Sequence, residues 1–194
     1  PEDRVKATLR LPFVKIVVAS WIAKILQDEY QQESVHTISN AVDHDLFFSP
    51  KRSKNAVTTF GMMYSSRSYK GSQLAFNCFK MLQQQFPSIR LIVFGLEPQS
   101  NVVNLPDRAV YKSQPKQNTI RDIYSQCDAW LFTSRVEGFG LPILEAMACR
   151  TPVIGTQSGA APDLLESGGG ILINIDDCNA LLSAMTKLYE MDQN

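Results

Sequence analysis

The chain is short of the residues that announce several common chemistries. Its two histidines, His36 and His44, are too isolated to suggest a metal site or a histidine-based triad. Cys78, Cys127, Cys149 and Cys178 are scattered with no CxxC pair, so buried free thiols in a reducing compartment are expected rather than zinc or disulfides. Neither sign of charge prevails, since 19 Lys and Arg balance 19 Asp and Glu. That balance argues against nucleic acid as a partner, and no polybasic tract argues for anionic lipid. Long apolar runs are missing too. Residues 13–25 are interrupted by Lys15, Ser20 and Lys24 and fall short of a membrane span, so no transmembrane segment is expected. The opening Pro-Glu-Asp-Arg-Val-Lys has no initiating methionine and no signal-peptide pattern, and is expected to lie inside a longer protein. There are no internal repeats and no low-complexity segments.

What is present is a regular alternation. With 44% hydrophobic residues in 194, the chain can bury a substantial core. Apolar runs of strand length are expected at 14–18, 35–38, 56–60, 90–94, 129–132, 152–154 and 171–173, with a short strand near 109–111. Between them, helical spacing predicts helices over 20–30, 71–85, 118–126, 142–148, 161–167 and 179–190. Residues 97–117, with Pro98, Pro106 and Pro115, read mostly as loop. Strands alternating with helices imply an α/β fold, a parallel sheet covered by helices on both faces. A polar connector, 39–54, separates a βα-β piece (1–38) of another domain from a complete domain (55–194).

One stretch, Ser134-Arg-Val-Glu137-Gly-Phe-Gly-Leu-Pro-Ile-Leu-Glu145-Ala-Met-Ala, carries most of the chemical information. Gly138 and Gly140 keep the turn free of side-chain bulk, so backbone amides can approach a ligand. Pro142 suits the first turn of a helix, and a helix N-terminus with free N–H groups attracts phosphate. Glu137 before the turn and Glu145 within the helix would grip hydroxyls on both sides of a bound diphosphate, which describes a nucleotide-sugar site. Each also has an ordinary account: Glu137 as a solvated loop carboxylate, Glu145 as a partner of the helix dipole, worth about 0.3–1 kcal/mol. Lys70 and Arg67, in the loop after the first strand of the main domain, lie at the carboxyl edge where ligands of such sheets bind. Charge-assisted hydrogen bonds from them to a diphosphate would contribute about 1.5–3 kcal/mol each. Gly159, in a second small-residue turn, would either pack strand against helix or line the sugar pocket. Tyr111, with Lys112, is a candidate to flank a nucleobase.

As a set, these residues resemble the retaining glycosyltransferases with two Rossmann-like domains, the GT-B architecture, and within it glycosyltransferase family 4. Glu137 to Ala148 and the following Thr-Pro-Val-Ile look like that family's two-glutamate signature. Ser39-Asn40-Ala-Val-Asp43 and Phe48-Ser-Pro50 resemble its interdomain connector. Phe60-Gly61 and Lys70-Gly71 resemble its phosphate-contacting segment, and Tyr124-Ser-Gln-Cys-Asp128-Ala-Trp its helix-to-strand step. The likeness implies a C-terminal, donor-binding Rossmann-like domain. In it Glu145 binds the ribose, and Glu137 contacts the donor sugar with the amides of Gly138, Phe139, Gly140 and Leu141. Lys70 offsets the departing diphosphate, with Gly61 and Arg67 beside it. It implies a nucleotide-diphosphate sugar such as a UDP-, GDP- or ADP-sugar as substrate, no metal and no other cofactor. The acceptor glycan or lipid would be held by an N-terminal domain beyond this chain, in a cytoplasmic enzyme that is soluble or peripheral to a membrane's inner face. The sequence departs from the pattern at Met62, where an arginine is common, at Ala41, where glycine is usual, and at Ala160, where paired glycines are common. A non-catalytic nucleotide-binding or regulatory module of the same fold is the alternative of a different class. A GT-B sugar epimerase or phosphorylase is a third.

Overall fold

The computed structural model of the chain describes residues 2–49 and 57–193. A helix, α1 (Glu2–Leu9), precedes a small unit of β1 (Lys15–Val17), α2 (Ser20–Asp28) and β2 (Val35–Thr37). The larger unit begins β3 (Thr59–Tyr64), α3 (Ser72–Gln85), β4 (Arg90–Gly95), β5 (Val110–Ser113), α4 (Gln117–Ser125) and β6 (Ala129–Phe132). It continues α5 (Leu141–Ala148), β7 (Val153–Thr156), α6 (Ala161–Leu165), β8 (Gly170–Ile173) and α7 (Cys178–Gln193). Single 3-10 turns lie at Ser68–Lys70 and Gln99–Asn101.

Strands β1 and β2 pair in parallel, and the others form a parallel six-stranded sheet of order β5-β4-β3-β6-β7-β8. Counted from β3 this is the 3-2-1-4-5-6 order of a Rossmann sheet, as expected for an α/β parallel fold. The strand order reverses between β3 and β6, which pair directly. A crevice therefore opens beyond their carboxyl ends.

Side-chain alternation along each strand divides the core between the two faces. Phe60, Met62 and Tyr64 of β3, with Leu91, Val93 and Leu131, meet Phe76, Phe79 and Leu82 of α3 and Leu181 and Met185 of α7. Trp130 and Phe132 of β6, with Ile92, Phe94 and Val153, meet Ile123 and Tyr124 of α4 and Ile143 and Ala146 of α5 on the other. Burying one such large apolar side chain contributes about 1.5–3 kcal/mol. Both faces are covered, so the strands read as continuous apolar runs.

That continuity accounts for one correction. The first strand of the main domain runs Thr59–Tyr64, not 56–60; Gly61 marks no strand end. The expected connector, 39–54, lies outside the described residues from position 50 on, as does Ala56. The cysteine expectation is corrected in part. Cys127 and Cys149 are buried and free, whereas Cys78 of α3 and Cys178 of α7 form a disulfide across a separation of 100 residues. The pairing follows from α3 and α7 lying side by side on one face of the sheet, an adjacency set by strand order. Among the described residues no helix is long and apolar enough to cross a membrane.

Candidate functional site

The switch-point crevice is furnished by the two segments that leave β3 and β6. After β3 the chain passes through Ser65–Arg67 into the 3-10 turn that ends at Lys70. Gly71 follows with φ +68°, and a Cβ there would collide with the Thr133 carbonyl just beyond β6. The absent side chain therefore lets the start of α3 approach the end of β6. Lys70 is thereby brought beside Glu137: its Nζ donates to Glu137 Oε1 at 2.5 Å, and Ser134 Oγ donates to the same oxygen at 2.9 Å. Both side chains of the ion pair are largely buried, 21% and 13% exposed. Among the described residues Glu137 Oε2 has no partner.

After Glu137 the chain turns through Gly138–Phe139–Gly140 into α5, with Gly140 at φ +105° and Pro142 in the first helical turn. Among the described residues the amides of Gly138, Phe139 and Gly140 find no acceptor, and nothing stands within 4 Å of where a Gly138 Cβ would lie. Glu145 lies one turn into α5, and Tyr124 Oη of α4 donates to its Oε2 at 2.7 Å. Burial pushes the Glu145 carboxyl above its usual range, and the Tyr124 bond pulls it partly back. Burial, followed by the Glu145 charge, raises the Tyr124 hydroxyl well above the ordinary value, so it remains a donor.

These groups line two adjoining cavities. A cleft of about 860 Å³ is lined by Arg67, Lys70, Pro142 and Glu145 together with Leu96, Glu97, Pro115 and Ile120. A small pocket beside it holds Lys70, Ser134, Glu137 and Pro142. Lys70 and Pro142 belong to both. A cation thus stands between the two carboxylates, with a row of free amides at the adjacent turn, an arrangement suited to an anion flanked by hydroxyl-bearing groups. Among the described residues no three His, Cys, Asp or Glu side chains gather where they would hold a metal ion.

Residues 44–194 match the family model described as glycosyl transferases group 1. The chain belongs to this family. Among its curated relatives, this group 1 chain is 25% identical to the O-antigen chain mannosyltransferase RfbU of Salmonella typhimurium over 82% of its own length and 45% of the relative's. It is 27% identical to the gpi3 subunit of phosphatidylinositol N-acetylglucosaminyltransferase from Schizosaccharomyces pombe, over 74% of its length and 33% of the relative's. It thus spans less than half the length of either. Among solved structures, sucrose-phosphate synthase of Thermosynechococcus elongatus superposes with a TM-score of 0.81 at 21% identity, over 97% of this chain and 52% of that one. The C-terminal domain of a group 1 glycosyl transferase, LpcC of Francisella tularensis, superposes with a TM-score of 0.64 at 22% identity, over 77% of this chain and 88% of that one. The GT-B glycosyltransferase fold is shared.

In this group 1 chain the structure gathers Lys70, Glu137, Glu145 and Arg67 at the crevice, with Leu141 at the exposed start of α5. Arg67 Nη1 donates to Tyr69 Oη at 2.7 Å on the cleft wall. The Phe139 side chain points away, buried with Ala19 and Ala160, so only its backbone is available to the turn. The other three candidates are placed as follows. Gly61 does not line the cleft: it sits inside β3, where a Cβ would run into Cys127 Sγ and the Trp130 ring, so its role is close packing. Tyr111 is likewise outside the cleft, its ring edge-on to Tyr64 and its hydroxyl donating to the Glu97 carbonyl at 2.8 Å. Gly159, at φ +61°, lets the second turn pass the first, since its Cβ would stand 2.8 Å from Glu137 Cβ and from the Phe139 carbonyl. Two neighbours of the glutamates are not singled out by sequence pattern. Ser134 opens the signature stretch itself, whereas Tyr124 lies in helical register with Ile120 and Ile123 and reads as core.

Proposed function

We propose that this chain is the donor-binding part of a retaining, metal-independent glycosyltransferase of family 4, acting on a nucleotide-diphosphate sugar such as a UDP-, GDP- or ADP-sugar. The observation that carries the reading is the Lys70–Glu137 ion pair across the switch point, with Glu145 in the adjoining cleft. Glu145 Oε1 accepts from the ribose diol while Tyr124 steadies Oε2. The diphosphate lies against Lys70, Arg67 and the free amides of Gly138–Gly140. Charge developing on the leaving phosphate is stabilised there by groups already in place, which is the electrostatic work a metal would otherwise do. Glu137 Oε2 accepts from a hydroxyl of the donor sugar. The departing phosphate helps take the proton of an acceptor attacking from the same face, which retains the anomeric configuration. The acceptor glycan or lipid is held by an N-terminal half of the enzyme, of which residues 1–38 form the last segment and 39–54 the connector. By itself the chain binds nucleotide and transfers little sugar. The reading is supported by the solved complex of S. aureus TarM with UDP and α-GlcNAc-glycerol, a protein of similar fold.

Calorimetric titration with UDP, GDP and ADP tests this. One of the three is expected to bind. Glu145→Ala should weaken the bare nucleotide by about 10- to 100-fold, the loss of one hydrogen bond to a charged group. Glu137→Ala should spare that affinity and impair sugar transfer in the full-length enzyme. Absence of binding at millimolar nucleotide sinks the donor reading, and equal losses in both variants sink the division of roles.

A further inference from the structure

The N-terminal unit touches the amide turn at one polar point. Helix α2 begins at Ser20, and Ala19 before it has no side chain with which to cap the free amides of the first turn. The cap comes from 143 residues away: Asp163 of α6 accepts from Ser20 N–H at 3.1 Å and from Ser20 Oγ at 2.7 Å. With the helix start held, the next residue is aimed at the glycine turn, and Trp21 Nε1 donates to the Gly138 carbonyl at 3.1 Å. Ala19, Phe139 and Ala160 are buried together beneath this contact.

The consequence lies in the direction of the amides. In a trans peptide the carbonyl and the following N–H point to opposite sides. The Gly138 carbonyl is drawn to the indole, so the Phe139 N–H faces away from α2. The Phe139 carbonyl is fixed in turn by the Ala160 amide at 2.8 Å, which sets the Gly140 N–H. Without the indole, the Gly138–Phe139 peptide has no partner on either side among the described residues. It also follows a glycine, the residue freest to rotate.

We propose that Trp21 is a positioning residue for the donor: it holds the Gly138–Phe139 peptide in the orientation that offers its amide to the diphosphate. This rests on the donor-binding reading above. It makes the N-terminal unit a contributor to the phosphate side of the site and not to the ribose side. Trp21 is 37% exposed and borders an open crevice of about 610 Å³ between α2 and the turn before α6. Its indole therefore supplies little core packing, and the bond at its polar tip is the main thing a phenylalanine would lose.

The test compares the chain with its Trp21→Phe variant, titrated with the nucleoside diphosphate that binds best and, by displacement, with the matching monophosphate. The variant should keep its melting temperature within about 4 °C and lose about fivefold in preference for diphosphate over monophosphate, the worth of one hydrogen bond. Asp163→Asn, which loosens the cap but keeps the indole, should shift the preference in the same direction and stands in if Trp21→Phe does not fold. Trp130, buried in the core, supplies a constant emission background, so any emission change on diphosphate binding should vanish in Trp21→Phe. An unchanged preference in both variants, or an equal loss for both nucleotides, overturns the inference and leaves the donor reading intact. If the unsubstituted chain binds none of the nucleotides, the donor reading falls and the inference with it.

Discussion

Replacing Tyr124 by phenylalanine isolates the contact that holds Glu145, the glutamate within α5. The ring is fully buried and packs on Trp130, with centroids 4.4 Å apart, so Tyr124→Phe removes one hydroxyl and little else. What is lost is a 2.7 Å bond to Glu145 Oε2. A hydrogen bond to a charged group contributes about 1.5–3 kcal/mol, whereas one to a neutral carboxylic acid contributes about 1 kcal/mol. The loss should therefore depend on pH. Glu145 has its carboxyl raised by burial, so the folded state binds its proton more readily than the unfolded state does. Its contribution to stability is greatest below the unfolded value and declines as pH rises through the folded one. Removing the Tyr124 donor raises the folded value further and steepens that decline. At pH 7 the variant should be less stable by about 1.5–3 kcal/mol, a fall in melting temperature of about 3–12 °C for a chain of this size. Near pH 4 the difference should shrink to about 1 kcal/mol. Denaturant unfolding at the two pH values reads both numbers, and in a Glu145→Gln background the difference should be small and insensitive to pH. A penalty that is the same at pH 4 and pH 7, or absent at pH 7, would refute the account of Glu145 as a buried carboxylate steadied by Tyr124.

Two glycines test the close approaches seen around them. Gly61→Ala should cost about 1–3 kcal/mol by overpacking against Cys127 and Trp130, measured by denaturant unfolding, while nucleotide affinity of the folded fraction stays unchanged; selective loss of affinity without loss of stability would return Gly61 to the cleft. Gly159→Ala should combine a left-handed backbone penalty of about 1–2 kcal/mol with displacement of Glu137. A lowered melting temperature should therefore be accompanied by impaired sugar transfer in the full-length enzyme, and wild-type behaviour in both assays would contradict the close approach of the two turns.

Much of the architecture could be read in advance because it is locally encoded. Between Gln117 and Thr156 each helix and strand has its own periodicity, and Gly140 and Pro142 mark where the turn gives way to α5. The same alternation placed Lys70 and Glu137 at one edge of the sheet, although 67 residues separate them. What could not be read depends on strand order and layer adjacency. Gly61 looks like the end of a strand because β3, buried on both faces, offers no polar alternation to show that it continues. Tyr124 carries the apolar ring of a core position, and only the packing of α4 against α5 shows that its hydroxyl serves Glu145. The Cys78–Cys178 disulfide, the Ser20–Asp163 cap and the Trp21–Gly138 bond all join segments at least 100 residues apart, with no repeat or motif to link them.

The division of the core into two faces has a further reach. Lys70 rides at the head of α3 and Glu145 within α5, and these helices are anchored in different apolar clusters on opposite sides of the sheet. The site is therefore a joint between two independently packed halves, aligned through the direct pairing of β3 with β6. Damage deep in one cluster, at Phe79 or at Ile143, should shift one partner more than the other. Loss of alignment across that seam, rather than loss of any group that touches a ligand, is then the route by which distant core substitutions silence the site.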